Sequence, residues 1–445
     1  MTSTAPGSVD AEALCELALE RARATSAVFI TVTEERAQRE AAASAERLRA
    51  GAPRGPLDGV PVAWKDLLDV AGTPTTAASA LRRDAEPAAS DAPVVARLAA
   101  AGMVCVGKTN LSELAYSGLG LNPHFGTPPN PHGSGRAPGG SSSGSAVAVA
   151  AGVVPCAIGT DTAGSIRVPA AFCGIVGFRP SSARSDGTGL LPLAPSLDAI
   201  GPLATSVADV VALDAALRGV ESHAAALRGV EPPVTALRLV VPAGDLVDDV
   251  DPGVAACFAA ALDALADAGA EIVRRPLAAL ERARALLAEH GSIVGHEAWR
   301  VHAALLDSPD ARRLDRRVVR RLREGRALAA AGYEALLRER PRVRAALAAD
   351  LGSALVVLPT APHVAPEIAA LERDDDVFMA VNTRTLRATL ATSYLDMPGV
   401  SLPMGVAEDG LPAGLLITGP SGEDDRVLAA ALSAEAALTA AARAR

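Results

Sequence analysis

The chain has 445 residues, of which 49% are hydrophobic and 21% charged, so it has ample apolar material for a large buried core. Its formal net charge of −9 argues against a nucleic-acid partner, because binding nucleic acid needs a basic patch. Aromatic residues make up only 2%, so we expect Ala, Val and Leu to fill the core and helices to pack closely.

The sequence indicates a cytoplasmic protein that has no membrane partner. Residues Met1 to Asp10 lack a basic stretch followed by an apolar run, so we expect no secretory signal. No segment approaches the roughly 20 uncharged apolar residues that a membrane-spanning helix needs.

The five cysteines and seven histidines predict neither a disulfide framework nor a metal site. The cysteine count is odd, no two cysteines have CxxC spacing, and no HExxH pair of histidines occurs. We therefore expect buried thiols in a reducing compartment, and neither a metal nor another cofactor.

The first predicted elements are helices that surround a short strand. Residues 11–49 have a helical pattern with a β-rich interruption at 28–32. A strand between two turns is expected within 55–72, followed by an amphipathic helix at 92–101 and a buried strand at 103–107.

The alternation of strands and helices continues through a strand at 153–159 to about Pro202, which favours an α/β fold with a mixed sheet. The motif LRGVE occurs twice, and we interpret it as a local duplication in an exposed helix or loop (217–221 and 227–231). Further strands are expected at 237–241, 354–359, 400–403 and 413–418, and helices at 252–269, 277–349 and 424–442.

Only two of the 42 basic residues are lysines, Lys65 and Lys108. Arginine stays protonated in proteins, whereas a buried lysine can lose its proton and act as a base. Coding bias alone also explains two surviving lysines. Lys65 is the stronger candidate for a base, because of the segments that follow it, while Lys108 is expected to hold a strand-to-loop turn.

Two Gly/Ser-rich loops, at 139–145 and 160–167, are the strongest candidates for a functional site. A flexible linker does not fit, since apolar elements bound both loops closely. Phosphate binding is a weak alternative, because the loops lack both GxxxxGK[ST] and GxGxxG. Nucleophilic catalysis by a serine fits better, with backbone amides for an oxyanion and Lys65 as the base, since no histidine lies nearby.

The segments GGSSSGSAVAVAAG and GTDTAGSIRVPAAFCGIVGFRP resemble the signature of the amidase signature hydrolases. GPLDGVPVAWKDLLDVAGTPTT resembles the lysine-bearing strand of that family. The resemblance is close over 11–209 and looser over 356–432, while 237–355 matches no family segment. It implies a central mixed β-sheet covered by helices on both faces.

The resemblance also implies one domain over residues 1–445. Its signature core would span about 55–210, and a variable helical region on the substrate side about 240–350. We find no Pro/Gly-rich linker that would divide the chain into independent halves.

Carried over by motif, the catalytic triad of the family is Ser165 as nucleophile, Ser141 as bridging serine and Lys65 as base. The two serines lie 24 positions apart, which is the family spacing. The family also implies a cis peptide bond between Gly140 and Ser141, and an oxyanion hole formed by the backbone amides of Thr162, Ala163, Gly164 and Ser165.

Burial should keep Lys65 neutral, and strand alternation should turn Asp66 to the opposite face of the sheet. Asp161 and Arg167 are expected to fix the nucleophile loop. Ser142 is expected either to hydrogen-bond Lys65 or to cap the following helix. The stretch that would border the acyl pocket is Ala115, Tyr116, Ser117 and Gly118.

Two departures from the family pattern affect this assignment. Ala163 stands where many members have glycine, which requires a negative φ there, and SYLDMPGVSLP differs from the usual segment near the substrate.

The function implied is hydrolysis of the C–N bond of a small-molecule carboxamide through a Ser165 acyl-enzyme, which releases ammonia or an amine and a carboxylic acid. The alternatives are the glutaminase (A) subunit of a tRNA-dependent amidotransferase and an allophanate or other urea-derivative hydrolase. The expected partner is the small amide alone, and a homodimer is compatible with the sequence.

Overall fold

The computed structural model describes residues 10–184, 186–220, 233–407 and 409–444. The end of the first LRGVE motif and the whole of the second lie outside these ranges, as do Met1 to Val9. In the described part of the chain, no helix combines the length and apolar character needed to cross a bilayer.

Eleven strands of the described chain form one sheet, in the order β1-β3-β2-β4-β6-β5-β10-β11-β9-β7-β8. The strands are β1 Phe29–Val32, β2 Pro61–Lys65, β3 Val104–Thr109, β4 Cys156–Asp161, β5 Val176–Arg179, β6 Ala199–Ala204, β7 Arg238–Pro242, β8 Glu271–Arg275, β9 Leu355–Pro359, β10 Gly399–Val406 and β11 Pro412–Thr418.

The sheet is mixed, as predicted. β2 pairs in parallel with β3 and with β4, while β4 pairs antiparallel with β6. β7 pairs in parallel with β8 and β9, and β10 pairs antiparallel with β5 and β11. The carboxyl ends of β2 and β4 therefore meet at one edge of the sheet, and this edge carries Lys65 and Asp161.

The helices of the described residues follow a strand-to-helix alternation in the first half and cluster in the second. They are α1 Ala11–Ala24, α2 Glu34–Arg49, α3 Pro93–Ala100, α4 Ser143–Ala150, α5 Arg167–Cys173, α6 Val207–Arg218, α7 Asp245–Asp248, α8 Pro252–Asp267, α9 Ala278–His290, α10 Ile293–Val301, α11 Ala303–Leu306, α12 Arg316–Arg326, α13 Ala330–Leu351, α14 Ile368–Arg373, α15 Asp375–Tyr394 and α16 Asp424–Ala444.

Helices cover both faces of the sheet, as predicted. Successive side chains of β2 alternate between two apolar clusters, since Val62 and Trp64 belong to one and Ala63 to the other. The cluster around Ala63 includes residues of α1, α2, α4 and α5, whereas α3, α6 and α16 contribute to the opposite cluster. Alanines supply much of the cluster around Ala63, in keeping with the low aromatic content of the chain.

Several predicted boundaries and elements were wrong. β4 begins at Cys156 and ends at Asp161, so Thr160 lies in a strand and not in the predicted loop. The sequence reading also missed three strands and a long helix (β5, β6, β8 and α15). Strands as short as the four residues of β5 carry too few positions for a period of two to be recognised.

Candidate active site

The fully buried side chain of Lys65 lies at the end of β2, between β3 and β4. Its Nζ atom is 2.7 Å from Ser141 Oγ, 2.7 Å from Thr160 Oγ1 and 3.3 Å from the Thr160 carbonyl oxygen. The lysine therefore joins the strand that carries it to the loop of Ser141 and to β4.

Burial lowers the pKa of Lys65 to about 7, although the negative charges of Asp161 and Asp198 act in the opposite direction. Asp66 does not counter this shift, because its carboxylate pairs with Lys108 Nζ at 2.6 Å. Lys108 also donates to the Pro74 carbonyl at 2.8 Å, so it holds the turn after β2. These contacts agree with the prediction that Asp66 and Lys65 point apart.

Ser141 follows a cis peptide bond from Gly140 and is fully buried. The Gly140 N–H donates to the Gly118 carbonyl at 2.8 Å, and the Ser141 carbonyl accepts the Ser112 N–H at 3.2 Å. The loop is thereby fixed against the 112–118 segment, next to the lysine.

Ser165 occupies the turn between β4 and α5 and is 7% exposed. Its carbonyl accepts the Ser142 N–H at 3.1 Å, so the two serine loops are in direct contact. Within the described residues the Ser165 hydroxyl has no hydrogen-bond partner. The Ser165 loop thus contacts the residue next to Ser141, and the Ser165 hydroxyl is uncommitted.

The loop before Ser165 presents three backbone amides and not four. The N–H groups of Thr162, Ala163 and Ser165 have no acceptor among the described residues. The Gly164 N–H donates to Asp161 Oδ1 at 2.7 Å, which corrects its predicted place in the oxyanion hole. The φ of Ala163 is not positive, so alanine adopts this backbone conformation without the strain that a side chain causes at positive φ.

Asp161 is the centre of the hydrogen bonds that hold this loop. Its carboxylate accepts the N–H groups of Gly164 and Ile166, and it pairs with the Arg167 guanidinium at 2.9 Å. Burial alone would raise the pKa of Asp161, but Arg167 and Arg179 outweigh burial and hold it at about 2. Asp161 therefore links the loop to Arg167 through these contacts.

Neither predicted role of Ser142 is observed. Its hydroxyl donates to the Thr160 carbonyl at 3.2 Å and accepts the Thr160 N–H at 3.3 Å, and it makes no capping bond to α4. Because both polar atoms of the Thr160 backbone bind the Ser142 hydroxyl, this serine ties the bridging-serine loop to β4. Lys65 hydrogen-bonds Thr160 and not Ser142.

The segment from Ala115 to Gly118 contacts the loop of the bridging serine, since the Gly118 carbonyl accepts the Gly140 N–H. Asn382 Oδ1 of α15 accepts the Ser117 hydroxyl at 3.2 Å and the Gly118 N–H at 2.8 Å. Tyr116 is buried, and the Arg321 guanidinium of α12 lies 4.3 Å from its ring centroid. The segment therefore connects the signature core with helices of the C-terminal half.

Thr160, Asp198, Asn382 and Thr389 contact this site, but sequence reasoning did not single them out. Thr160 directly precedes the Asp161 of the motif, and its place on a strand was the signal that could have identified it. Asn382 and Thr389 lie on α15, which the sequence reading missed. In the described part of the chain, no group of three or more His, Cys, Asp or Glu side chains is placed to hold a metal ion.

Comparison with known proteins identifies the family. The family model described as Amidase matches residues 13–428, so the chain belongs to the amidase signature family. It is therefore an amidohydrolase that acts on C–N bonds.

Three relatives illustrate the range of this similarity. The chain is 36% identical to 2-amino-5-chloromuconic acid deaminase of Comamonas testosteroni, over 90% of this chain and 86% of the relative. It is 34% identical to the A subunit of glutamyl-tRNA(Gln) amidotransferase from Chloroflexus aggregans, over 94% of this chain and 91% of the relative. The crystal structure of an amidase superposes with a TM-score of 0.83 at 34% identity, over 97% of this chain and 96% of that chain.

Proposed function

We propose that the protein hydrolyses the C–N bond of a small carboxamide through an acyl-enzyme on Ser165. The observation that carries this proposal is the contact of 2.7 Å between the buried Lys65 Nζ and Ser141 Oγ. A pKa of about 7 makes the neutral amine of Lys65 available as a base near neutral pH.

Lys65 Nζ lies within donor distance of three oxygens, Ser141 Oγ and the two oxygens of Thr160. A neutral amine has two N–H groups and one lone pair, so in our proposal Thr160 accepts the two N–H groups and the lone pair accepts the Ser141 hydroxyl. In the proposed reaction Ser141 gives its proton to Lys65 and takes the proton of Ser165, while Ser165 Oγ attacks the amide carbon.

The free amides of Thr162, Ala163 and Ser165 are suited to stabilise the negative oxygen that this attack creates. The C–N bond then breaks, and the leaving nitrogen receives the proton from Lys65 through Ser141. Water attacks the acyl-enzyme by the same proton route, and its products are the carboxylic acid and free Ser165.

We further propose that the substrate carries a carboxylate near its amide. Arg321 lies over Tyr116 and also has a side-chain hydrogen bond with it, while its buried Nη1 atom has no hydrogen-bond partner among the described residues. A buried donor without a partner is unfavourable, and a substrate carboxylate would satisfy it. The Comamonas relative is named for an acid substrate, 2-amino-5-chloromuconic acid, which is in keeping with this class.

The second candidate is the glutaminase component of a tRNA-dependent amidotransferase, which the similarity to the Chloroflexus aggregans protein favours. Such a glutaminase would require its partner subunits, whereas the proposed amidase acts alone. The two candidates therefore differ in whether the purified chain releases ammonia without another protein.

The test is ammonia release by the purified chain from glutamine, propionamide, benzamide, malonamate and allophanate. We expect turnover of malonamate that Lys65→Arg abolishes, because an arginine does not give up its proton. Arg321→Met should raise KM for malonamate about tenfold or more and leave propionamide within threefold, since a hydrogen bond to a charged group contributes about 1.5–3 kcal/mol.

Arg320→Met is the matched control on the same helix, because Arg320 is exposed and pairs with Asp376 and Glu324. Full activity of Lys65→Arg would refute the mechanism. Equal losses for malonamate and propionamide in Arg321→Met would refute the carboxylate class. If the folded chain releases no ammonia from any of these amides but does so once partner subunits are added, the glutaminase is favoured.

A further inference from the structure

Asp198 lies directly before β6 and holds the first residue of the oxyanion loop. Asp161 on β4 pairs with Ala199 on β6, so the antiparallel register places Thr162 opposite Asp198. The Thr162 hydroxyl donates to Asp198 Oδ1 at 2.6 Å. Thr162 is thus fixed through its side chain, while its backbone N–H stays without an acceptor among the described residues.

The position of Asp198 is itself set by its surroundings. Its carboxylate accepts the N–H of Leu193 at 2.9 Å and the N–H of Ala194 at 3.1 Å. The same loop is anchored from the helical region, because Glu297 on α10 accepts the Ser196 N–H at 3.0 Å. Asp198 is therefore held in place without any contribution from a substrate.

Asp198 differs from Asp161, the other carboxylate near Lys65, in whether positively charged groups compensate its charge. The negative charge of Asp161 is compensated by two arginines, since Asp161 pairs with Arg167 at 2.9 Å and approaches Arg179 Nε at 3.7 Å. Asp198 has no ion-pair partner within 4 Å among the described residues. Burial raises the pKa of Asp198, while the hydrogen bonds from Thr162, Leu193 and Ala194 and the charge of Lys65 favour its ionised form. The charges of Asp66 and Lys108, the remaining ion pair near Lys65, cancel each other.

We propose that Asp198 is a positioning residue that keeps the Thr162 N–H directed into the oxyanion hole and stabilises the protonated Lys65 formed during attack. This inference rests on the Ser165–Lys65 chemistry proposed above. The carboxylate plays the part that the aspartate has in a Ser-His-Asp triad, in that it stabilises the charged base without itself taking a proton.

The experiment measures covalent labelling of Ser165 by a fluorophosphonate, which needs no knowledge of the natural amide. The Ser165 Oγ–P bond forms as the P–F bond breaks, fluoride leaves, and the proton passes through Ser141 to Lys65. Labelling rates at pH 5.5–9 are followed by intact mass for the wild type, Asp198→Asn, Thr162→Val, Thr162→Ser and the control Asp186→Asn. Asp186 is exposed.

Thr162→Val should slow labelling at least tenfold at every pH, because the loop loses its tie to Asp198. Thr162→Ser retains the hydroxyl and should recover most of the rate that Thr162→Val loses. Asp198→Asn should lower the plateau rate and move the acidic limb of the profile to lower pH, since protonated Lys65 loses a nearby negative charge. Asp186→Asn should match the wild type.

A purely structural role for Asp198 would lower the unfolding temperature and leave the acidic limb where it is, and that result would overturn the proposal. Wild-type labelling rates in Thr162→Val would also overturn it, even if Asp198→Asn fails to fold. A wild type that is labelled but hydrolyses no amide would contradict only the proposed function. A wild type that takes up no reagent at Ser165 would overturn both.

Discussion

Lys65 links activity to stability, because the fold holds this side chain away from water with a pKa of about 7 instead of 10.5. Between these two values the unfolded chain binds a proton that the folded chain has lost, so raising the pH favours the folded state. Burial of Lys65 therefore destabilises the folded state most below about pH 7, and this destabilisation disappears above about pH 10.5.

We predict that Lys65→Met is inactive but more stable than the wild type at pH 7.5. The stability difference should narrow by up to about 1.4 kcal/mol per pH unit toward pH 10, because only the wild type gains stability from deprotonation. Urea unfolding of both proteins at pH 7.5, 8.5 and 9.5 measures this change.

Lys108→Met provides the matched contrast, because this second buried lysine pairs with Asp66 at 2.6 Å. Its loss leaves a buried carboxylate unpaired, so we expect destabilisation of about 3–5 kcal/mol. If Lys65→Met were destabilised to the same degree and showed no dependence on pH, the lysine would be charged in the folded protein.

At the scale of elements, α15 supports the nucleophile loop. Thr389 Oγ1 donates to the Ala163 carbonyl at 2.6 Å, and Gly164 has a φ of +133°. A Cβ on Gly164 would lie 2.4 Å from Thr389 Oγ1 and 2.9 Å from Thr389 Cβ. The loop and the helix are therefore in contact too close to admit a side chain.

We predict that Gly164→Ala loses at least 100-fold in kcat/KM and about 1–3 kcal/mol of stability, because the backbone there disfavours a side chain and the loop must move off α15. Amide turnover and thermal unfolding measure the two effects. Gly187→Ala is the control, since a Cβ added to Gly187 would have nothing within 4 Å. Wild-type turnover in Gly164→Ala would show that the loop tolerates displacement from α15.

The sequence predicts the mixed sheet, and its motif segments single out Lys65, Ser141 and Ser165, because these segments have the fixed spacings and small residues of the family. It does not predict which way side chains turn within those segments. Ser142 faces Thr160 and not Lys65, and Gly164 directs its N–H to Asp161, and both outcomes follow from the local backbone.

The contribution of α15 was missed for a different reason. Thr389 contacts a residue 226 positions earlier in the chain, and no local pattern encodes such a contact. The polar residues of this helix that face the site, Asn382, Thr389, Thr392 and Ser393, are buried, so its apolar periodicity is weak. Long-range packing, and not local propensity, brings the helix to the loop.

At the scale of the whole molecule, the groups that control activity and those that control acid stability titrate in different ranges. Buried or partly buried carboxylates such as Asp58, Asp91 and Asp161 pair with arginines. Burial would raise the pKa values of these carboxylates, but the arginines and hydrogen bonds hold them below the usual 3.8. Their contribution to stability is present above pH 3.8 and is lost only as the pH falls through the lowered values.

We therefore predict that the enzyme is reversibly inactive at pH 5. Lys65 is protonated there and cannot accept a proton, so kcat/KM should fall along an acidic limb with an apparent pKa near 7. The paired carboxylates stay ionised, so the circular dichroism spectrum and a cooperative thermal transition should persist. Activity should return in full after transfer to pH 8, with incubation at pH 2 as the comparison in which the ion pairs break. Unfolding at pH 5, or activity that does not recover, would mean that the loss of activity reflects the fold and not the protonation of one lysine.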